Sequence, residues 1–259
     1  MTLWDAAILG LIQGLTEFLP VSSSGHLALG QSLLGIGDDD LTFEVVVHAG
    51  TLLAVLVAFR QRITSIVVDC GRRQRDAWTI VGLLALGTVP AGIIGLLFES
   101  TIEGVFSHPA AVGGFLVLTG LVLWTTHRRA GTRRDVRTAD AVWIGLAQAL
   151  AILPGISRSG LTISTGIWLG MEATEAAAFS FLLSVPVILG ASVLKIGGLL
   201  SSPPTGEALF SLVTGFVLAF FSGLVAIRWL LALLARGGLD RFAWYCWAVG
   251  LLAIIRFWP

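Results

Sequence analysis

The chain has 259 residues, 56% of them hydrophobic and only 12% charged, with a mean hydropathy of +0.90. Soluble domains carry about 25% charged residues, so nearly all of this chain lies in or against lipid. The formal net charge is zero, which leaves no bulk electrostatic case for a nucleic-acid partner.

The N-terminus does not read as a cleaved signal peptide, because no Lys or Arg precedes Arg60. The first apolar stretch, residues 3–34, is interrupted at 20–25 by Pro, Ser and Gly. Three uninterrupted stretches follow, at 44–59, 78–98 and 110–124. A second interrupted stretch covers 139–169, with its break at 154–160. Three more uninterrupted stretches lie at 174–196, 208–234 and 242–257. A crossing takes about 20 apolar residues, so the six uninterrupted stretches read as transmembrane helices. Each arm of an interrupted stretch is too short to cross upright, and both read as re-entrant helix hairpins. Irregular backbone at that depth is tolerated only where protein buries it or where it lines a cavity. The expected fold is all-α: a polytopic, single integral membrane domain over residues 1–259.

The arginines orient this chain. Arg60, Arg62, Arg72, Arg73 and Arg75 follow the first span, and Arg128, Arg129, Arg133, Arg134 and Arg137 follow the third. By the positive-inside rule both connections are cytoplasmic, as are Arg236 and Arg241. The connections at 38–40, 99–108 and 201–207 lack Lys and Arg and belong outside. The first hairpin then enters from outside and the second from inside. Cys70 and Cys246 are the only cysteines, and their settings suggest neither a disulfide nor a metal site.

The two hairpins resemble each other. Residues 10–25 read GLIQGLTEFLPVSSSG and residues 145–160 read GLAQALAILPGISRSG. Without a gap, Gly10, Leu11, Gln13, Leu15, Ser22, Ser24 and Gly25 match Gly145, Leu146, Gln148, Leu150, Ser157, Ser159 and Gly160. Chance likeness among apolar helices does not readily produce a matched Gln and a matched Ser-x-Ser-Gly. We read two repeats, approximately 1–125 and 139–259, the second inverted because three crossings separate them. Inverted repeats of broken helices bring their breaks together near the midplane, here the 17–26 segment against the 157–162 segment.

Arg158 is a permanent cation between apolar segments, and such a residue is a functional-site hypothesis by default. Gly155 and Gly160 let backbone approach an anion closely. Ser157, Ser159 and Thr162 add hydroxyls, and N–H groups at a loop-to-helix junction add donors. In the other break, Gln13 and Glu17 share a helix face. Ser22, Ser23, Ser24 and Gly25 follow and lead to His26. Serines before a helix are ordinarily caps, and a lone His is most often a satisfied structural residue. Beside an intramembrane Glu17 those readings weaken, because several costly polar choices coincide. Ser22, Ser23 or His26 can attack phosphorus with help from a base, or Glu17 can activate water. Glu17 can alternatively hold a divalent cation with Gln13 and substrate phosphates. Arg158 would neutralise charge on a transferred phosphoryl group.

These motifs resemble those of the undecaprenyl-diphosphate phosphatase family of the bacitracin-resistance type. Its first signature, Glu or Gln, three residues, then Glu, falls on Gln13 and Glu17, followed by Phe18-Leu19-Pro20-Val21-Ser22-Ser23-Ser24-Gly25-His26. Its second, Pro-Gly-x-Ser-Arg-Ser-Gly-x-Thr, is complete at 154–162. The likeness continues through Phe43-Glu44-Val45-Val46-Val47 and Phe179-Ser180-Phe181-Leu182-Leu183. The resemblance implies hydrolysis of a polyprenyl diphosphate to the monophosphate plus inorganic phosphate, recycling the lipid carrier of cell-wall glycan synthesis. It implies a plasma-membrane site facing the outer side, and a divalent cation, Mg²⁺ or Ca²⁺. The family's essential Glu, Ser, His and Arg fall on Glu17, Ser22 or Ser23, His26 and Arg158. Two positions depart from the pattern: Gln13 replaces a Glu that many members carry, so a metal ligand there would be neutral, and Ser24 stands where Thr is common.

Other polar residues have plainer readings. Glu44 and His48 share a face of the first span and either line the site mouth or sit at a helix end. Arg228 either snorkels or pairs inside, and Lys195 belongs near the outer interface. Glu172 and Glu175 read as first-turn carboxylates. Trp143, Trp168, Trp229, Trp244 and Trp258 read as interface anchors. The competing function is transport, as a flippase of polyprenyl phosphate. It needs Arg158 and oriented donors but has no use for Glu17, a serine and His26 converging on phosphorus. The prenyl chain length and the oligomeric state, a homodimer included, stay open.

Overall fold

A computed structural model describes residues 1–36, 41–98, 104–105, 108–129, 131–201 and 204–258, with side chains except at 41 and 194–201. The sequence-expected outer segment at 38–40, most of that at 99–108, and the Lys195 side chain lie outside this description. The described residues form eleven α-helices and no strand. They are α1 (Leu3–Phe18), α2 (Ser23–Leu34), α3 (Leu41–Ala58), α4 (Arg60–Gly71), α5 (Arg75–Leu97) and α6 (Pro109–Trp124) in the first half. The second half holds α7 (Thr138–Leu150), α8 (Arg158–Trp168), α9 (Ala173–Ser201), α10 (Glu207–Leu234) and α11 (Phe242–Phe257).

Both interrupted stretches are broken helices. The break after α1 begins at Leu19, whose ψ of 148° is extended, as expected for a residue forced out of helical backbone by the following proline. Ser22 then caps α2, its Oγ accepting from Gly25 N at 3.3 Å. In the second half Ser157 caps α8 in the same way, accepting from Gly160 N at 3.0 Å.

One expectation about the spans needs revision. The connection after the first span is not a loop: α4 leaves α3 at an angle of 73°. Ile63, Ile66, Val67 and Cys70 give it a helical apolar period that its arginines obscure. By length and composition, three described helices are long and apolar enough to cross a membrane: α5, the 173–193 part of α9, and α10. Counting the bent α3–α4 pair as one span makes four. Helices α6 and α11 have 16 residues each, about 24 Å at 1.5 Å per residue against a hydrocarbon core of about 30 Å.

The helices pack in matched pairs. Helix α1 lies on α10, and α7, the counterpart of α1, lies on α5. A Cβ at Gly10 would stand 2.6 Å from the carbonyl oxygen of Gly215, and one at Gly145 would stand 2.7 Å from that of Gly87. The two glycines therefore permit the same backbone approach in both halves, as small residues do between membrane helices. Helix α6 packs against α11, and α3 contacts both α9 and α10. A core of Phe18, Ile163, Phe179, Phe181, Leu183 and Leu230 fills the middle. The outer surface is also apolar: Phe210, Phe221 and Val225 of α10 and Leu252 and Ile255 of α11 are exposed. Such a surface suits a hydrocarbon solvent.

The arginine-bearing connections converge at one end of the molecule. Arg62 pairs with Glu175 at 2.9 Å and Arg134 with Glu172 at 2.7 Å, while His127 meets Asp240 at 2.8 Å. The hydrogen bond from Arg134 holds the Glu172 carboxyl below the usual carboxylate range. The guanidinium of Arg133 forks onto both oxygens of Asp140, at 2.7 and 2.9 Å. A third bond from Arg133 to Leu169 O, at 3.1 Å, ties the end of α8 to the start of α7. Arg228 is exposed near the end of α10, with no ion pair among the described residues, as snorkelling requires.

Candidate active site

The two breaks touch. Ser22 Oγ accepts from Gly155 N at 3.0 Å, and Ser159 Oγ donates to Leu19 O at 2.9 Å. Gly155 has φ +96° and its would-be Cβ position is filled by α6 backbone, so only glycine turns the chain here. Ser22 itself sits at φ +68°, a conformation that a non-glycine residue keeps only when its surroundings enforce it. The bonds to Gly25 and Gly155 provide that enforcement.

A cavity of about 260 Å³ opens beside this junction. Its polar side is lined by Glu17, Ser23, Ser24, Arg158, Gln148, Glu44, His48 and Ser192. Its apolar wall is formed by Val45, Ala91, Ala151, Ile152, Val187, Ile188 and Ala191. At the centre stands Glu17, only 7% exposed. Its Oε1 accepts from Arg158 Nη2 at 2.7 Å, and its Oε2 accepts from Ser23 Oγ at 2.5 Å and from Gln13 Nε2 at 3.0 Å. His48 Nε2 lies 3.8 Å from Oε2. A serine O–H on a carboxylate, beside a guanidinium with room for an anion, can transfer a proton and neutralise phosphate charge.

The residues expected at the site separate into two groups. Glu17, Ser23, Ser24 and Arg158 line the cavity. Ser22, Gly25, Gly155, Ser157, Ser159 and Gly160 make the junction behind it. Ser157 Oγ caps α8, and Ser157 N donates to Thr119 Oγ1 at 3.1 Å. Thr162 is buried, sharing a hydrogen bond with Ser180 Oγ at 2.6 Å. Gln13 is fully buried beneath Glu17 rather than in the cavity wall. His26 does not reach the cavity either. Its Nδ1 donates to Ser22 O at 2.9 Å, and its Nε2 accepts from the Tyr245 hydroxyl at 2.8 Å.

Sequence reasoning left Glu44 and His48 undecided, and the structure puts both in the cavity wall. It overlooked Gln148 as a site residue. The signal was there, since Gln148 is the repeat counterpart of Gln13, whose amide supports the central carboxylate.

The expected divalent cation finds no ready-made site. Among the described residues no three His, Cys, Asp or Glu side chains converge as ligands. Both oxygens of Glu17 are already engaged by Arg158, Gln13 and Ser23. These residues do not by themselves fit a resident ion.

Fold and site define the class: a helical membrane protein with a buried carboxylate–guanidinium pair beside a cavity where two broken helices meet. The family model described as "Bacitracin resistance protein BacA" matches residues 6–252, and the chain belongs to that family. Similar curated proteins carry the name undecaprenyl-diphosphatase. The one from Christiangramia forsetii is 45% identical over 262 residues, covering 98% of both chains. That from Halothermothrix orenii is 40% identical with the same coverage. That from Carboxydothermus hydrogenoformans is 41% identical, covering 98% of this chain and 97% of its own.

Proposed function

We infer that the protein is a membrane phosphatase that hydrolyses undecaprenyl diphosphate to undecaprenyl phosphate and inorganic phosphate, recycling the lipid carrier. The observation that carries the mechanism is the Ser23 hydroxyl on Glu17 Oε2, in one cavity with Arg158. Ser23 is the nucleophile and Glu17 its base. The terminal phosphate takes Arg158 away from Glu17 Oε1. Ser23 Oγ attacks the terminal phosphorus and its proton passes to Glu17. The bond from that phosphorus to the bridging oxygen breaks, and Glu17 hands the proton to the departing monophosphate. Water, losing a proton to Glu17, then attacks the phosphoserine. Ser23 Oγ leaves with that proton, and inorganic phosphate is released. Were Mg²⁺ or Ca²⁺ to take part, it would enter with the substrate and help neutralise the diphosphate charge.

Placement in the membrane follows from the same features. We read α3, α5, α6, α9, α10 and α11 as six crossings, and α1–α2 and α7–α8 as re-entrant hairpins from opposite faces. Short crossings are accommodated by local thinning of the bilayer. The cavity is lined by the first turns of α3 and the later turns of α5 and α9. The arginines cluster at the opposite ends of these helices. That supports a site opening to the outer side of the plasma membrane. A membrane-impermeant thiol reagent should label Ser192→Cys in intact cells. Labelling only after the cells are opened reverses the orientation.

The activity is tested by phosphate release from a long-chain polyprenyl diphosphate in detergent, with and without Mg²⁺ or Ca²⁺, beside Arg158→Ala. Release that the substitution abolishes supports the reading. No release from well-folded protein in any condition moves the assignment to lipid-phosphate transport, tested next by flipping in liposomes.

A further inference from the structure

Helix α11 lies outside the cavity, yet it braces the first break at two consecutive residues. Cys246 Sγ donates to Pro20 O at 3.6 Å. Tyr245 stacks on His26, with ring centroids 5.6 Å apart and planes 9° from parallel, and its hydroxyl donates to His26 Nε2 at 2.8 Å. The Ser22 carbonyl can only accept, so Nδ1 carries the proton and Nε2 receives the tyrosine hydroxyl. Nδ1 donates to Ser22 O at 2.9 Å, and the same carbonyl accepts from His26 N at 3.1 Å. The Ser22 carbonyl belongs to the peptide that leads into Ser23. It follows a residue at φ +68°, the least favourable backbone in the break. Rotation of that peptide would carry the Ser23 hydroxyl off Glu17.

We propose that Tyr245 is a positioning residue for Ser23, acting through His26. The tyrosine ring and hydroxyl fix the orientation of the imidazole, and the imidazole holds the Ser22–Ser23 peptide that aims the nucleophile. His26 then acts on catalysis without touching phosphorus, which accounts for its place outside the cavity. The proposal rests on the reading of Ser23 as nucleophile.

The test uses the full-length protein in detergent. Tyr245→Phe keeps the stacked ring and removes only the hydroxyl. It should lower kcat about tenfold, the scale of one lost hydrogen bond, with KM within twofold. His26→Ala should lower kcat further, and adding Tyr245→Phe to it should lower kcat no more, because the relay is already cut. His26→Asn keeps a donor near the Ser22 carbonyl and should recover part of the loss. In ¹⁵N-histidine spectra the His26 signals, identified by their disappearance in His26→Ala, should shift in Tyr245→Phe. Unchanged kcat in Tyr245→Phe overturns the proposal, as does an equal loss from Tyr245→Phe with and without His26. Unmoved His26 signals overturn it as well. Full turnover in Ser23→Ala would instead remove the nucleophile reading, an outcome distinct from any of these.

Discussion

The two breaks are built on one pattern and used for different ends. Positions 135 apart correspond, and several that agree do the same structural work, although Gln13 supports Glu17 while Gln148 donates to Gly87 O at 3.4 Å. Ser22 and Ser157 cap the helices that follow. Ser22 lies 3.4 Å from Ser24 through their hydroxyls, and Ser157 lies 3.3 Å from Ser159. Asp5 accepts from Thr2 N at 2.8 Å, and Asp140 accepts from Arg137 N at the same distance. Chemistry appears where the copies differ. Glu17 corresponds to Ile152, and Ser23 to Arg158. All four line the cavity. Corresponding positions of the two breaks line one cavity, so where the copies differ a carboxylate shares it with an apolar side chain and a hydroxyl shares it with a cation.

The largest effects should fall on the positions that differ. Glu17→Ala or Arg158→Ala should lower kcat/KM by about a thousandfold or more, the scale of removing a charge-stabilising group from an active site. Arg158→Lys keeps the charge without the planar fork and should still lose about a hundredfold. Near-normal turnover in that variant would show that the charge of Arg158 suffices without its planar fork.

The matched positions should respond in stability instead. Asp140→Ala leaves the Arg133 guanidinium, 15% exposed, without its partner, and should cost about 3 kcal/mol of unfolding free energy. Its counterpart Asp5 is the half-buried capping-box partner of Thr2, so Asp5→Ala should cost about 1 kcal/mol. Equal losses at the two positions would break the account of Arg133 as a clamp. Gly10→Ala and Gly145→Ala should each destabilise by about 1–3 kcal/mol, because a methyl group meets backbone that cannot yield. Ser157→Ala should cost about 1 kcal/mol as a lost cap. Thermal unfolding in detergent reads all five, and phosphate release normalised to folded protein should change far less than in the Glu17 and Arg158 variants. A Ser157→Ala loss of activity as large as that of Arg158→Ala would erase the division between frame and chemistry.

Much of this was legible in the chain itself, for local reasons. Low charge and high hydropathy specify a lipid environment. Pro20 and the cap serines place the breaks, because a proline and an N-cap act on their own neighbours. The gapless repeat and the cost of Glu17 and Arg158 in an apolar chain identify the site. The bend into α4 was hidden, since arginines made an amphipathic helix look like a loop. Among three consecutive serines, only packing chose. The positive φ at Ser22 turns its hydroxyl to Gly155 and leaves Ser23, at the first turn of α2, to meet Glu17. Tertiary structure likewise sent His26 toward Tyr245, 219 residues away, and brought Glu44, His48 and Gln148 to the cavity from two other helices. Sequence determined which groups are too costly to be idle. Their partners are through-space neighbours, which only the packed helices decide.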